Sequence, residues 1–420
     1  MLFTQQPIEK QDLYKDMLRS AGAISNLFSD NNVPYIVSRN VENAYCEAFG
    51  ADNLGRSDCS ADASLDGKGI GIKTFIHGNG RTLQKVAEFN KDAELYRNQQ
   101  PKELIETVAL LRNERIDFTM RTYGLTSMIY HCVTRKAGQI LIFESSMDKI
   151  DIDNIKNVKL NNKNTITFDD GRNEYSFNLT KSTLYKRFNM TDPLAVIDVT
   201  ILANPYTVLA KLVNIVTPKV EAYSHSLANM ENYSASPVAD GGPVQMEFLS
   251  SLEEEVVLQN NEATPESSVN PYVILPLFSD RGNKRHVPEK SGLNQWNASG
   301  RPRHHDEIYI PIPKWIHDAF PTFFPPRDQH FQLRLPDKSL LSAKVCQDNS
   351  KALMSNPNKD LGEWMLRQVL SLKPRELLTY RHLQVLDIDS VIVSKHSNSH
   401  FSIEFCGIGS YDSFQSEYSK

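Results

Sequence analysis

Asp62 and Lys73 stand eleven residues apart, on either side of Asp66-Gly67, in the segment Asp62-Ala63-Ser64-Leu65-Asp66-Gly67-Lys68-Gly69-Ile70-Gly71-Ile72-Lys73-Thr74. Asp-Gly between two alternating runs is a strong hairpin signal, and a hairpin there sets a carboxylate on one strand beside an ammonium on the next. That pair suits phosphodiester hydrolysis. The reaction needs a divalent ion to activate water and neutralise charge developing on the phosphoryl oxygens, with a cation beside the attacking water. A hard ion such as Mg²⁺ takes carboxylate oxygens, which makes Asp62 the ligand and Lys73 the cation. Asp58 competes for the ligand role, but Asp62 is better placed relative to the turn to face the Lys73 strand.

A second chemistry gathers toward the C-terminus. Reading bases in the major groove takes forked donors such as Arg for guanine, and amides or carboxylates for adenine and cytosine. The loop-like stretch 291–303 supplies Asn294, Gln295, Trp296, Asn297, Arg301 and Arg303, with Trp296 equally suited to a core place beneath the loop. A second stretch, 347–358, supplies Gln347, Asp348, Asn349, Lys351, Ser355, Asn356 and Asn358. Other constellations carry less. Gly78-Asn79-Gly80 reads as a turn, His304-His305 lack partners at metal-ligand spacing, and neither a Walker loop nor a G-x-S-x-G elbow is present.

The elements that must position these residues follow from periodicity. Residues 8–29 read as an amphipathic helix and 34–37 as a short strand. After the hairpin, a helix is expected from Thr82 through Phe89 and another over 101–113. Strands are expected at 128–133 and 139–143, with 164–168 pairing 174–179 around Asp169-Asp170-Gly171. Beyond residue 271 the texture becomes short strands (272–278, 308–312, 331–335, 341–345, 390–394, 401–405) with helices at 313–320 and 361–370. Regular short strands with Pro, Gly and Asn punctuation suggest a small barrel or pseudobarrel.

At 420 residues the chain exceeds one ordinary core, so two domains with a connector are expected. The connector is the acidic stretch 231–270, which holds eight acids and no Lys or Arg. Removing those eight from the net charge of −5 leaves +3, and residues 281–303 carry a local +5, a distribution compatible with a phosphate-binding surface. The five cysteines (46, 59, 132, 346 and 406) are odd in number and never form C-x-x-C, so reduced core thiols are expected. The first residues lack a secretory signal and no run of about 18 apolar residues exists, so a cytoplasmic protein is expected.

The string from Asp62 to Thr74 resembles the core of the PD-(D/E)XK nucleases, in which an Asp and an acid two residues before the Lys line the metal site. Gly71 stands in that acid's place. Some restriction enzymes of this superfamily carry the acid on the following helix, about fifteen residues after the Lys. The resemblance therefore implies Glu88 as the second Mg²⁺ ligand, with Gln84 one turn earlier assisting and Glu42 as the upstream helical acid. Residues 271–405 resemble the C-terminal domain of NgoFVII-type restriction endonucleases, a pseudobarrel related to the plant B-three domain whose two arms grip the major groove. Gln295 interrupts that family's Asn-Trp, and the H-x-K pair of its usual phospholipase-D-like nuclease is missing from the first half, which implies the same reader joined to a different cutter.

Together these resemblances imply an α/β nuclease domain with a mixed sheet flanked by helices over 1–230, an acidic linker over 231–270 and a mainly-β pseudobarrel over 271–420. The implied protein is a Type II restriction endonuclease that uses Mg²⁺ to cut double-stranded DNA, leaving 5′-phosphate ends. To cut both strands it would either dimerise, the commoner solution, or act twice, beside a cognate DNA methyltransferase of the same system that is not a stable subunit. Two alternatives stand: a non-catalytic DNA-binding regulator with a degenerate nuclease fold, or a C-terminal allosteric effector joined to a nuclease that reads DNA itself, in which case a 1–230 fragment still cuts.

Overall fold

The structure, a computed structural model, describes residues 1–55, 59–162, 164–216, 270–282 and 284–418. The acidic stretch 231–270 therefore lies outside the described residues, apart from Asn270, and so does Asp58.

Three helices open the chain: α1 Leu2–Gln5, α2 Ile8–Ala23 and α3 Ser38–Phe49. The helix expected over 8–29 stops at Ala23, and 34–37 is an extended lead-in to α3 rather than a strand. Next come β1 Asp52–Asn53, β2 Ala63–Leu65 and β3 Lys68–Ile76. The β2–β3 turn forms as its residues require, with Asp66 at φ 51° and Gly67 at φ 71°, both left-handed, while Leu65 pairs with Lys68. Two left-handed central residues give a turn whose twist matches the strands it joins.

The chain then departs from the sequence reading. Residues expected as a helix form strand β4 Arg81–Glu88, paired antiparallel with a much later strand. After α4 Ala93–Tyr96, α5 Pro101–Tyr123 runs well past the expected 113, to a left-handed Gly124 cap at φ 62°. Strands β5 Ser127–Lys136, β6 Gln139–Ser146, β7 Lys156–Asn161, β8 Thr165–Asp169, β9 Glu174–Asn178, β10 Thr183–Asn189 and β11 Ala195–Asp198 follow, then α6 Pro205–Val216.

Among the described residues these strands form two sheets, where the sequence suggested one. The first has the order β1-β2-β3-β5-β6-β11, with β2 antiparallel to its neighbours, β3 parallel to β5, and β6 antiparallel to β5. The second has the order β4-β10-β9-β8-β7. On one face of the first sheet, Ile70, Ile72 and Val133 pack with Tyr14 and Leu18 of α2 and Val41, Tyr45 and Phe49 of α3. On the other face, Phe75, Tyr130 and Cys132 pack with Ile116 of α5, Met147 and Phe188. The sheet is thus sandwiched between helices, as parallel β3–β5 pairing demands.

The C-terminal strands β12 Tyr272–Pro276, β13 Ile310–Pro311, β14 His330–Arg334, β15 Leu340–Cys346, β16 Ala352–Ser355, β17 Ile388–Lys395 and β18 His400–Gly407 make a third sheet in the order β12-β17-β18-β14-β15-β16-β13. Its edge strands β12 and β13 return to contact one another, which nearly closes the sheet into a barrel. Helix α7 Lys314–Ala319 and the short α8 Asp360–Gly362, which continues as π-helical Glu363–Val369, cover the core around Trp364, Met365, Val391 and Phe401.

Helix α5 joins the halves. Leu104, Ile105 and Val108 lie in the core beneath the second sheet, Ile116 in the core of the first, and Phe118 in that of the C-terminal sheet. Phe118 meets Phe405 edge-on at 5.4 Å, and Arg121 Nε donates to Val369 O at 2.8 Å. At the far side, Lys338 pairs with Asp52 at 2.6 Å.

Candidate functional site

Asp62 sits just ahead of β2, where that strand leaves β3. Its backbone N–H donates to Ile70 O at 2.8 Å, and its Oδ2 accepts the Ile72 N–H at 2.6 Å. The carboxylate therefore stands in the place of a ladder partner, fixed against the strand that carries Lys73. Burial raises its pKa above the ordinary value, opposed by the Lys73 charge and the Ile72 N–H; Glu42 raises it further and Arg39 lowers it. Asp62, Lys73, Glu42 and Arg39 thus share one electrostatic neighbourhood.

Glu42 reaches that place from α3, where Arg39 Nη1 holds its Oε2 at 3.0 Å. Lys73 lies opposite Cys132 of β5; burial lifts the Cys132 thiol to about 12, and the Lys73 and Lys186 charges oppose the rise. The structure accordingly gathers three of the five residues expected at this site.

Glu88 and Gln84 are not gathered there. Both lie on β4, the edge of the second sheet, and neither is helical. Glu88 is exposed, with one carboxylate oxygen on Lys85 Nζ at 2.7 Å and the other on Asn90 Nδ2. Gln84 donates to Thr82 Oγ1 at 2.9 Å. The expectation that Glu88 replaces the acid missing at Gly71 from a helix is corrected on this ground: pairing with β10 makes the segment a strand of the second sheet, and Lys85 and Asn90 take up the Glu88 oxygens. At Gly71 a Cβ would meet the Met147 methyl and lie 3.2 Å from Tyr130 Cδ1, so a side chain there requires Met147 to move aside.

In the C-terminal half the two expected arms divide into supports and exposed groups. Asn294 is fully buried and clamps the backbone: its Nδ2 donates to Leu378 O at 2.8 Å and Pro288 O at 3.1 Å, and its Oδ1 accepts Leu378 N–H at 2.9 Å. Ser355 is buried too, accepting Leu361 N–H at 2.8 Å and donating to Pro357 O at 2.7 Å. Neither can reach a ligand, which corrects their expected contact roles. Trp296 packs on the core, and the Gln295 Oε1 and Trp296 Nε1 atoms are buried. Asn297 Nδ2 donates to Glu289 O at 2.9 Å. Arg301 forks onto Glu307 at 2.5 and 3.1 Å, and Arg303 Nη1 donates to Ala298 O at 2.8 Å, so these guanidiniums shape the first arm.

The second arm is more open. Asp348, Asn349, Lys351, Asn356 and Asn358 are exposed, Gln347 is half-buried, and Gln347, Asn349 and Ser350 all adopt positive φ. Between the arms runs a groove of about 620 Å³ lined by Ser291, Gly292, Asn349 and Lys351, with Arg281, His286 and Lys314 along it. Arg281, His286 and Lys314 were missed as site residues by the motif reading. The positive balance of 281–303 hinted at Arg281 alone of these, and Lys314 became legible once α7 placed it on the groove.

The geometry can be set beside known proteins. No curated protein matches this chain. Residues 274–395, the span that carries both arms and the groove, match the family model of the NgoFVII C-terminal B3-like DNA-binding domain, and double-stranded DNA is the partner this similarity supports.

Proposed function

We propose that this chain is a site-specific DNA endonuclease of a restriction system, in which residues 271–420 read DNA and residues 1–230 cut it, joined by 231–270. The observation that carries the cutting half is the shared neighbourhood of Asp62, Glu42 and Lys73 at the divergence of two strands in a mixed sheet. The mixed sheet, in which the parallel pair β3–β5 is flanked by antiparallel strands and covered by helices, is of the kind the PD-(D/E)XK resemblance implies. The reading half rests on the domain match and on the basic groove between the arms.

The donor set suits a hard divalent ion. Asp62 is a costly charge where it lies, Glu42 adds to that cost, and a cation held by the two carboxylates relieves it. Mg²⁺ bound there would supply Lewis-acid polarisation of the phosphate and a more acidic water. Lys73 stabilises negative charge on the attacking side, and the Ile72 N–H holds Asp62 in a fixed orientation. Cutting both strands from one site per chain requires either a homodimer, the commoner solution, or two successive cuts, and self-protection calls for a methyltransferase of the same specificity.

Gly71, standing where the second acid belongs, favours a second reading, a DNA-binding regulator whose nuclease fold is spent. Supercoiled plasmid incubated with Mg²⁺ separates the two. We expect cleavage at one sequence by wild type and by Glu88→Ala, and a loss of about a hundredfold or more in Asp62→Ala. Site-specific binding without cleavage by wild type would leave the regulator standing.

A further inference from the structure

The sequence offered His304-His305 no partner at ligand spacing, but the folded chain supplies one. Asp306 turns its carboxylate back between both rings: Oδ2 lies 3.2 Å from His305 Nε2 and 3.6 Å from His304 Nδ1. The three ligand atoms all fall within 4.8 Å of one another. The two imidazole centroids lie 4.1 Å apart, with the ring planes tilted by 30°. The Asp306 N–H donates to His304 Nδ1 at 3.3 Å, which sets that nitrogen as an acceptor whose lone pair an ion would take over from this long contact.

We propose that His304, His305 and Asp306 hold a divalent ion of the zinc, cobalt or nickel type at the root of the first arm. Two imidazole nitrogens with one carboxylate oxygen favour these ions over Mg²⁺, which prefers an all-oxygen shell. The cluster has the support that metal sites need. Asp306 is buried, with its other oxygen fixed by Arg367 Nε at 2.6 Å, and Arg367 is itself anchored on His305 O at 2.9 Å and Leu372 O at 3.0 Å. Beneath it, the Asp306 carbonyl lies directly against Gly362, where no Cβ could fit. A carboxylate immobilised from behind and imidazoles open in front make a half-built coordination shell. The ring side chains are 48% and 35% exposed, so outward positions remain for water or a phosphate oxygen.

An ion here would fasten three consecutive residues of the loop that carries Arg301 and Arg303, a loop that Arg367 ties to the π-helical turn, and so stiffen the arm where it leaves the barrel. The metal is distinct from the one proposed at Asp62, in ligands and in ion preference.

Titrating metal-free full-length protein with Co²⁺ tests this. We expect one equivalent to raise a visible ligand-field absorption, which Zn²⁺ displaces and excess Mg²⁺ does not. The absorption persists in Asp62→Asn. His304→Ala/His305→Ala abolishes it, while the metal-free variant keeps the wild-type far-ultraviolet circular dichroism and melting temperature. Wild type without the absorption, or a double variant that binds Co²⁺ as wild type does, overturns the proposal. Either result leaves DNA cleavage and reading untouched as questions.

Discussion

Asp62 carries a conflict between stability and chemistry. Its folded pKa is raised, chiefly by burial, so the folded state holds a proton more tightly than the unfolded chain does. Stability therefore falls as pH climbs from the unfolded pKa through the folded one, and the penalty is complete above both. Asp62→Asn keeps an oxygen to accept the Ile72 N–H while discarding the charge. We therefore expect a higher melting temperature for Asp62→Asn than for wild type at about pH 8, with the difference closing toward about pH 4. Differential scanning calorimetry across that range checks it. Added Mg²⁺ should narrow the gap at the higher pH, because the ion stabilises only the protein that keeps the carboxylate.

At the scale of elements, the two arms separate groups that build the fold from groups that face outward. Asn294→Ala leaves the Leu378 N–H and carbonyl buried without their partner, and should cost about 2–3 kcal/mol in urea unfolding. Lys351→Ala should leave unfolding unchanged, weaken DNA binding for all sequences alike, and lower the slope of log affinity against log salt by about 1. Equal loss of stability in both variants would contradict this division of labour.

The elements also mark where sequence reasoning holds. The Asp66-Gly67 hairpin was legible because its geometry is decided by the two turn residues themselves. Strand β4 was not. Its Leu, Gln, Lys, Ala and Glu favour a helix in isolation, and only β10, a hundred residues on, supplies the edge that makes it a strand, pairing Arg81 with Asn189. Asp62 and Lys73 were legible through the hairpin, and Glu88 was misplaced with β4. The convergence of His304, His305 and Asp306 is invisible to spacing rules because it depends on a loop conformation held by Arg367.

For the whole molecule the decisive element is α5, which contributes side chains to three cores within 23 residues, roughly 34 Å of helix at ~1.5 Å per residue. The sequence reading treats residues 1–230 as separable, but Phe118 belongs to the C-terminal core. Phe118→Ala should cost about 3–5 kcal/mol. All three Trp residues lie in the C-terminal half, so fluorescence reports that half alone, while far-ultraviolet circular dichroism reports both. In wild type the two signals should melt together; in Phe118→Ala they should part, and coincident curves in the variant would count against the shared core.

That shared helix bears on how such proteins are recombined. A chimaera spliced within 231–270 would graft a foreign barrel onto an α5 still shaped for Phe405, leaving an aromatic ring facing a surface that never evolved to receive it. The natural seam runs along the helix rather than across the acidic stretch. Exchange of specificities would have to carry residues 118–121 with the incoming barrel.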